Sequence, residues 1–220
     1  MRIFSIGTLV VVISPLLLMT GCTFRDEDKP APDPNKIPAL LNEAITDTRR
    51  GEVTKAISTY DQVLKIAPNN LTALANRAVL FTLLNKKDDT AREVTRIRKL
   101  QAVELQSKLN KTPNNTTLLI QFSLNQTAQG NHRLAITNAE KATKIKANPQ
   151  SYFVLANALH RNNNYSGALV NYNKAIQLDA KMVEAYLARA NNKIKLGDQK
   201  GAESDFNMVN KLHSNDGISN

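Results

Sequence analysis

The feature that most constrains this chain is a unit of about 34 residues that recurs along it. Its best-formed copy is MVEAYLARANNKIKLGDQKGAESDFNMV, residues 182–209. Ala185, Tyr186 and Ala190 mark one face of a first helix that stops at Leu196-Gly197-Asp198. Gly197 suits the left-handed backbone that closes a helix, where a side chain would clash. Ala202 and Phe206 then stand four apart on one face of a second helix. There the small residue admits a close neighbour and the ring fills the space beside it. Neither helix hides its apolar face alone, but a row of such pairs does.

Other copies centre on Ala56 with Tyr60 and Pro68, and on Ala168 with Tyr172 and Ala175; weaker ones centre on Ala91 and Ala135. Gly51, Gly130 and Gly197 each precede their alanine by five residues. The alanines are 35 apart from Ala56 to Ala91, 44 to Ala135, 33 to Ala168 and 34 to Ala202. The surplus of about ten follows Ala91, where Val94, Ile97, Leu100, Leu105 and Leu109 keep roughly helical spacing until Thr112-Pro113-Asn114-Asn115 stops it. That reads as about three extra turns on the second helix of the second unit. Two short helices broken near Leu100 are the alternative.

These residues resemble the tetratricopeptide repeat family. Its pattern is a small residue in the first helix, Gly at the turn, Ala then an aromatic in the second helix, and Pro after it. The pattern is met at Ala190, Gly197, Ala202 and Phe206, and at Gly51, Ala56, Tyr60 and Pro68. The chain departs from it in having no Trp, in Thr95 and Ala139 where a ring is usual, and in Asn85 and Asn163 at two turns. Asn is the next most tolerant of the left-handed conformation. The resemblance implies an all-α fold, a right-handed superhelix (α-solenoid) of about five helix-turn-helix repeats spanning residues 37–70, 71–115, 116–148, 149–182 and 183–212. Residues 213–220 are then a flexible tail.

The resemblance also implies that the first helices line a concave groove in which peptides or partner helices lie. Counting positions by it puts Phe153, Asn157, Arg161, Leu187, Asn191 and Lys195 toward the groove, with His160, Leu124 and Val79. Asn157 and Asn191 are equivalent, and each amide can donate to and accept from an extended backbone. Arg161 and Lys195 are likewise equivalent and offer cationic ends to a ligand's carboxylates. The family's chaperone-binding clamp wants a lysine where Leu41 stands, so that activity is not implied.

Chemistry has little footing. His132, His160 and His213 are scattered, and no HExxH, GxSxG or glycine-rich phosphate loop occurs. No enzyme, cofactor or metal is expected. His160-Arg161 reads as an exposed helix end, and Asp88-Asp89 as a helix start, where the dipole favours negative charge. The charge is unbalanced, 29 Lys and Arg against 19 Asp and Glu, or +10, which favours acidic partners. Arg92, Arg96 and Lys99 recur at four and three residues and so form one basic helical face, a second candidate for docking. Nucleic acid is not expected, because no aromatic residues are interleaved with the cations for base stacking.

One cysteine excludes an internal disulfide framework. Arg2, the apolar run of residues 3–19 and Thr20-Gly21-Cys22 have the layout of an export signal over residues 1–21. Leu18-Met19-Thr20-Gly21-Cys22 resembles the lipobox of bacterial lipoproteins, which implies acylation of Cys22 and a stable hold on a membrane surface, each buried methylene adding about 0.8 kcal/mol. Thr23 rather than Asp after Cys22 implies the outer membrane, with the repeats facing the periplasm. Residues 22–36, rich in Pro and charge, read as an extended tether. The expected protein is a membrane-anchored scaffold for envelope proteins, as in pilus or secretin assembly or the recruitment of cell-wall enzymes. The rival is a periplasmic protein closing its superhelix around a small solute.

Overall fold

The computed structural model describes residues 33–216. The export signal, Cys22 and most of the tether lie outside the described residues. Ten α-helices follow in order: α1 Ile37–Arg49, α2 Val53–Ile66, α3 Leu71–Leu83, α4 Lys87–Lys111, α5 Thr116–Ala128, α6 His132–Ile145, α7 Pro149–Arg161, α8 Tyr165–Leu178, α9 Val183–Lys195 and α10 Gln199–Asp216. Each packs on the helices before and after it in the chain. The architecture among the described residues is therefore an all-α solenoid of five helical hairpins. Two details at the ends differ from expectation. Pro34–Lys36, expected in an extended tether, forms a 3-10 turn capped by the Asp33 side chain and running into α1. α10 continues to Asp216, and Leu212 packs on the last apolar cluster, so residues 213–216 are helix rather than tail.

The first helices are uniform, each of 13 residues. Within every hairpin three residues separate the helices, and the middle one has positive φ: Gly51 (77°), Asn85 (55°), Gly130 (81°), Asn163 (61°) and Gly197 (82°). At Gly197 an added Cβ would meet open space. Gly197→Ala is therefore expected to cost only the backbone strain, about 1–2 kcal/mol by chemical denaturation, while Asn163→Gly should leave stability within about 0.5 kcal/mol.

These turns correct one register. The small residue of each second helix is its fourth, five after the turn residue, at Ala56, Ala135, Ala168 and Ala202, all buried. In α4 the fourth residue is Thr90, and Ala91, expected there, is exposed. Thr90 returns its hydroxyl to the Lys86 carbonyl at 3.0 Å, so a short polar residue fills the position. Val94, not Thr95, then takes the place of the ring.

α4 is a single helix of 25 residues against 14 for α2, α6 and α8. Its last turns are held by Leu109, buried with Leu119, Phe122 and Ala142, and by Ala102 and Leu105 packed on that cluster. A break at Leu100 would expose that contact. The buried apolar residues divide into local clusters between neighbouring helices rather than one central core. Phe206 corrects a second expectation. Tyr60 and Tyr172, four residues after Ala56 and Ala168, are buried, but Phe206, four after Ala202, is 37% exposed. Tyr172 is covered by Ala188 of the next hairpin, whereas α10 is the last helix described and no later hairpin covers its ring among the described residues.

Two arginines clamp successive hairpins in the same way. Arg77 of α3 pairs with Asp61, 16 residues back on α2, and Glu93, 16 ahead on α4. Arg189 of α9 reaches Asn173 on α8 and Asp205 on α10, again 16 back and 16 ahead. Both arginines are the seventh residue of their helix; Phe122 and Leu155 hold that place in α5 and α7.

Candidate functional site

In a helix of 13 residues, positions 9, 12 and 13 lie on one face near the C-terminal end. In α5, α7 and α9 these are Leu124, Thr127 and Ala128; Asn157, His160 and Arg161; Asn191, Ile194 and Lys195. α5 packs beside α7, and α7 beside α9. The nine side chains therefore form rows, and all nine line one concave cavity of about 1030 Å³. Arg98 of α4, His132 of α6 and Tyr172 of α8 also line it, with Gly130 and Ala188.

The cavity brings together Asn157, Arg161, Asn191 and Lys195 of the expected groove set, and leaves out Phe153 and Leu187. Those two stand at position 5, one turn nearer the helix start. Phe153 is half-buried between hairpins, its ring centroid 6.2 Å from that of Tyr172. Leu187 is exposed beyond the cavity rim. Arg98, His132 and Tyr172 were not anticipated. Arg98 sits between Arg96 and Lys99 in sequence but on the other side of α4, and only the packing of that helix against α5 brings it to the cavity.

Lining charge is of one sign. Arg98, Arg161 and Lys195 face the cavity, and no Asp or Glu lines it. Arg161 and Lys195 make no ion pair among the described residues. Asn157 is oriented by Tyr172, whose hydroxyl donates to Asn157 Oδ1 at 2.7 Å. With its oxygen engaged, the amide NH2 is left to donate outward. Burial pushes the Tyr172 phenol well above its usual pKa, against a smaller lowering by the Arg161 guanidinium, so it stays a donor across ordinary pH. His160 is not the exposed helix end expected of it but half-buried. Its Nδ1 lies 2.9 Å from Oδ1 of Asn192, a fully buried residue. Asn192 Nδ2 donates to the Tyr165 carbonyl at 2.9 Å. The carbonyl can only accept, so Asn192 turns its oxygen to His160, and Nδ1 carries the ring proton. The cavity thus offers cations and amide donors, a chemistry that suits an anionic, acceptor-rich ligand.

The basic face of α4 is partly committed within the fold. Arg92, Arg96 and Lys99 do share a shallow hollow with Ala91 and Thr95. Arg92, however, pairs with Asp89, and Arg96 donates to the Pro68 carbonyl of the loop between α2 and α3. Lys99 is exposed. Among the described residues no group of three or more potential ligands could hold a metal ion, and no helix is long and apolar enough to cross a membrane.

Comparison with known proteins bears on the fold. Residues 156–197 match the family model described as TPR repeat, that is, the tetratricopeptide repeat. A tetratricopeptide repeat protein from Parabacteroides merdae superposes with a TM-score of 0.52 at 20% identity, over 82% of this chain and 66% of that one. MamA from Desulfovibrio magneticus gives a TM-score of 0.48 at 16% identity over 82% and 97%. YrrB, described as a TPR protein with an unusual peptide-binding site, gives 0.46 at 13% over 79% and 84%. No curated protein matches the chain.

Proposed function

We propose that this chain, built of tetratricopeptide repeats, is a docking scaffold that holds an acidic stretch of a partner polypeptide in the concave cavity of α5, α7 and α9. One observation carries the reading: Arg98, Arg161 and Lys195 line a cavity of about 1030 Å³ without a single carboxylate among them. Three like charges facing one hollow repel each other, and an incoming carboxylate relieves that repulsion. The Asn157 amide, fixed as a donor, adds a hydrogen bond to a carboxylate or a main-chain carbonyl.

The partner, in this reading, is an envelope protein, and the scaffold works at a membrane. That part rests on the apolar run of residues 3–19 and on Thr20-Gly21-Cys22, which support export and acylation of Cys22, and on Thr23 in place of Asp, which supports a place on the periplasmic side of the outer membrane. Assembly of a pilus or secretin, or recruitment of a cell-wall enzyme, is the class of task such a scaffold would serve. The anchoring is checked by intact-mass measurement of the protein from membranes, where acyl chains on Cys22 are expected; an unmodified cysteine would overturn it.

The docking reading is tested by anisotropy titration of the full chain with a fluorescein-labelled hexaglutamate. Arg161→Glu with Lys195→Glu is expected to weaken binding at least tenfold, because each reversal replaces an attraction by a repulsion at the cavity wall. Lys141→Glu with Lys144→Glu, an equal charge change on exposed α6 positions, should have a much smaller effect. Equal losses in the two pairs would mean that net charge, not the cavity, attracts the peptide. A small anion retained in native mass spectra, with no peptide binding, would favour a closed solute site.

A further inference from the structure

The cationic cavity does not stop at α5. Arg98, Leu124 and Ala128 also line a second hollow of about 430 Å³, between α5 and the C-terminal half of α4. Shared walls make the two one trough. The second part exists because α4 is long: a second helix of 14 residues beginning at Lys87 would end near Leu100, short of Gln101, Glu104, Leu105 and Lys108, which form most of this wall. Its chemistry is different. Leu105, Ala128 and Leu124, which is 42% exposed, give an apolar floor. Its one carboxylate, Glu104, is paired with Lys108 one turn away at 2.5 Å, so this half carries no free negative charge.

Arg98 stands at the junction and is fixed there. Its guanidinium donates to the Ala128 carbonyl at 3.3 Å, and its own carbonyl accepts from Asn125 Nδ2 at 3.1 Å. The α4 backbone is thus tied to α5 where the apolar and cationic halves meet, and the order of the two along the trough is set by the fold.

Resting on the docking reading above, we infer that the partner segment is bipartite: a run of carboxylates seated against Arg161 and Lys195, joined directly to apolar side chains seated on Leu105, Leu124 and Ala128. Four neighbouring helices at about 8–10 Å spacing make the trough about 30 Å long. An extended segment of roughly nine residues covers that length. An acidic peptide without the apolar block fills only one half. An apolar peptide without the acidic block meets three unneutralised cations at the other.

The experiment compares three fluorescein-labelled ten-residue peptides on the full chain: five Glu followed by Leu-Ala-Leu-Ala-Leu, the same blocks in reverse order, and five Glu followed by five Ser. The better of the two Glu-Leu peptides is expected to bind at least tenfold tighter than the Glu-Ser peptide. Leu124→Ser, a change at an exposed position shared by both hollows, should remove most of that advantage, weakening the Glu-Leu peptide far more than the Glu-Ser peptide. Equal binding of all three peptides, or an advantage that survives Leu124→Ser, overturns the bipartite partner while the docking reading stands. An advantage that survives Arg161→Glu with Lys195→Glu also overturns it, since nonspecific apolar adhesion would then explain it. Failure of every peptide to bind overturns both.

Discussion

Asp205→Ala is expected to destabilise the last hairpin by about 3–5 kcal/mol, the usual result of removing one partner from a buried ionic cluster. The Asp205 side chain is 4% exposed and takes Arg189 Nε at 2.9 Å, Arg189 Nη2 at 2.6 Å and Lys193 Nζ at 3.0 Å. Without it, two cations that are themselves about 15% exposed face each other with nothing between them. Arg189 keeps Asn173 and Lys193 keeps the Gly201 carbonyl, but neither bond neutralises charge. The loss should be local, because in a solenoid each unit is stabilised only by its neighbours. Hydrogen exchange should quicken over α9 and α10 while α1 to α4 keep their protection. Replacing both partners, Asp205→Leu with Arg189→Met, should restore most of the loss. A single variant with wild-type protection across α10 would mean that the cluster contributes nothing net.

The second large effect is a contrast. Tyr172→Ala is expected to cost about 3–5 kcal/mol, as large aromatic truncations in packed cores do. Phe206→Ala, at the matching place one hairpin later, should cost less than about 1 kcal/mol. Tyr172 is 1% exposed between Ala156, Ala168 and Ala188, whereas Phe206 is 37% exposed. Thermal unfolding of the two variants reads the difference directly. Tyr172→Phe refines it: packing is kept, Asn157 loses the hydroxyl that orients its amide, and hexaglutamate binding should weaken by about twofold to tenfold, the value of one neutral hydrogen bond. Equal costs for the two alanine variants would show that burial by the following hairpin is not what gives the ring its value.

That contrast marks how far the sequence could be read. Spacing alone finds the hairpins, because an alanine five residues after a glycine is a local signal set by backbone geometry. The rows of Asn157 and Asn191, and of Arg161 and Lys195, follow once the period is known. Repeat 2 slips by one because Thr90 is polar and Ala91 beside it is small. The better guide was Asn85, six residues before Ala91 but five before Thr90, and its φ of 55° confirms the turn. Phe206 is misread for another reason: its pattern is right, but burial depends on a following unit that is not among the described residues. Arg98 could not be placed at all. Its role depends on how α4 leans on α5, a tertiary fact fixed by Leu109, Leu119 and Phe122.

The 25-residue helix carries one more consequence. A stack of identical hairpins offers the same surface again at every step, so a ligand with a regular pattern could slide along it and bind in several frames of comparable energy. Among the described residues only one second helix overshoots its partner by three turns, and it does so beside α5. A chain lying along the inner curve meets that overhang at a single place. In the docking reading proposed above, seating on that overhang gives a bound chain one alignment, a defined zero on a track that would otherwise permit many.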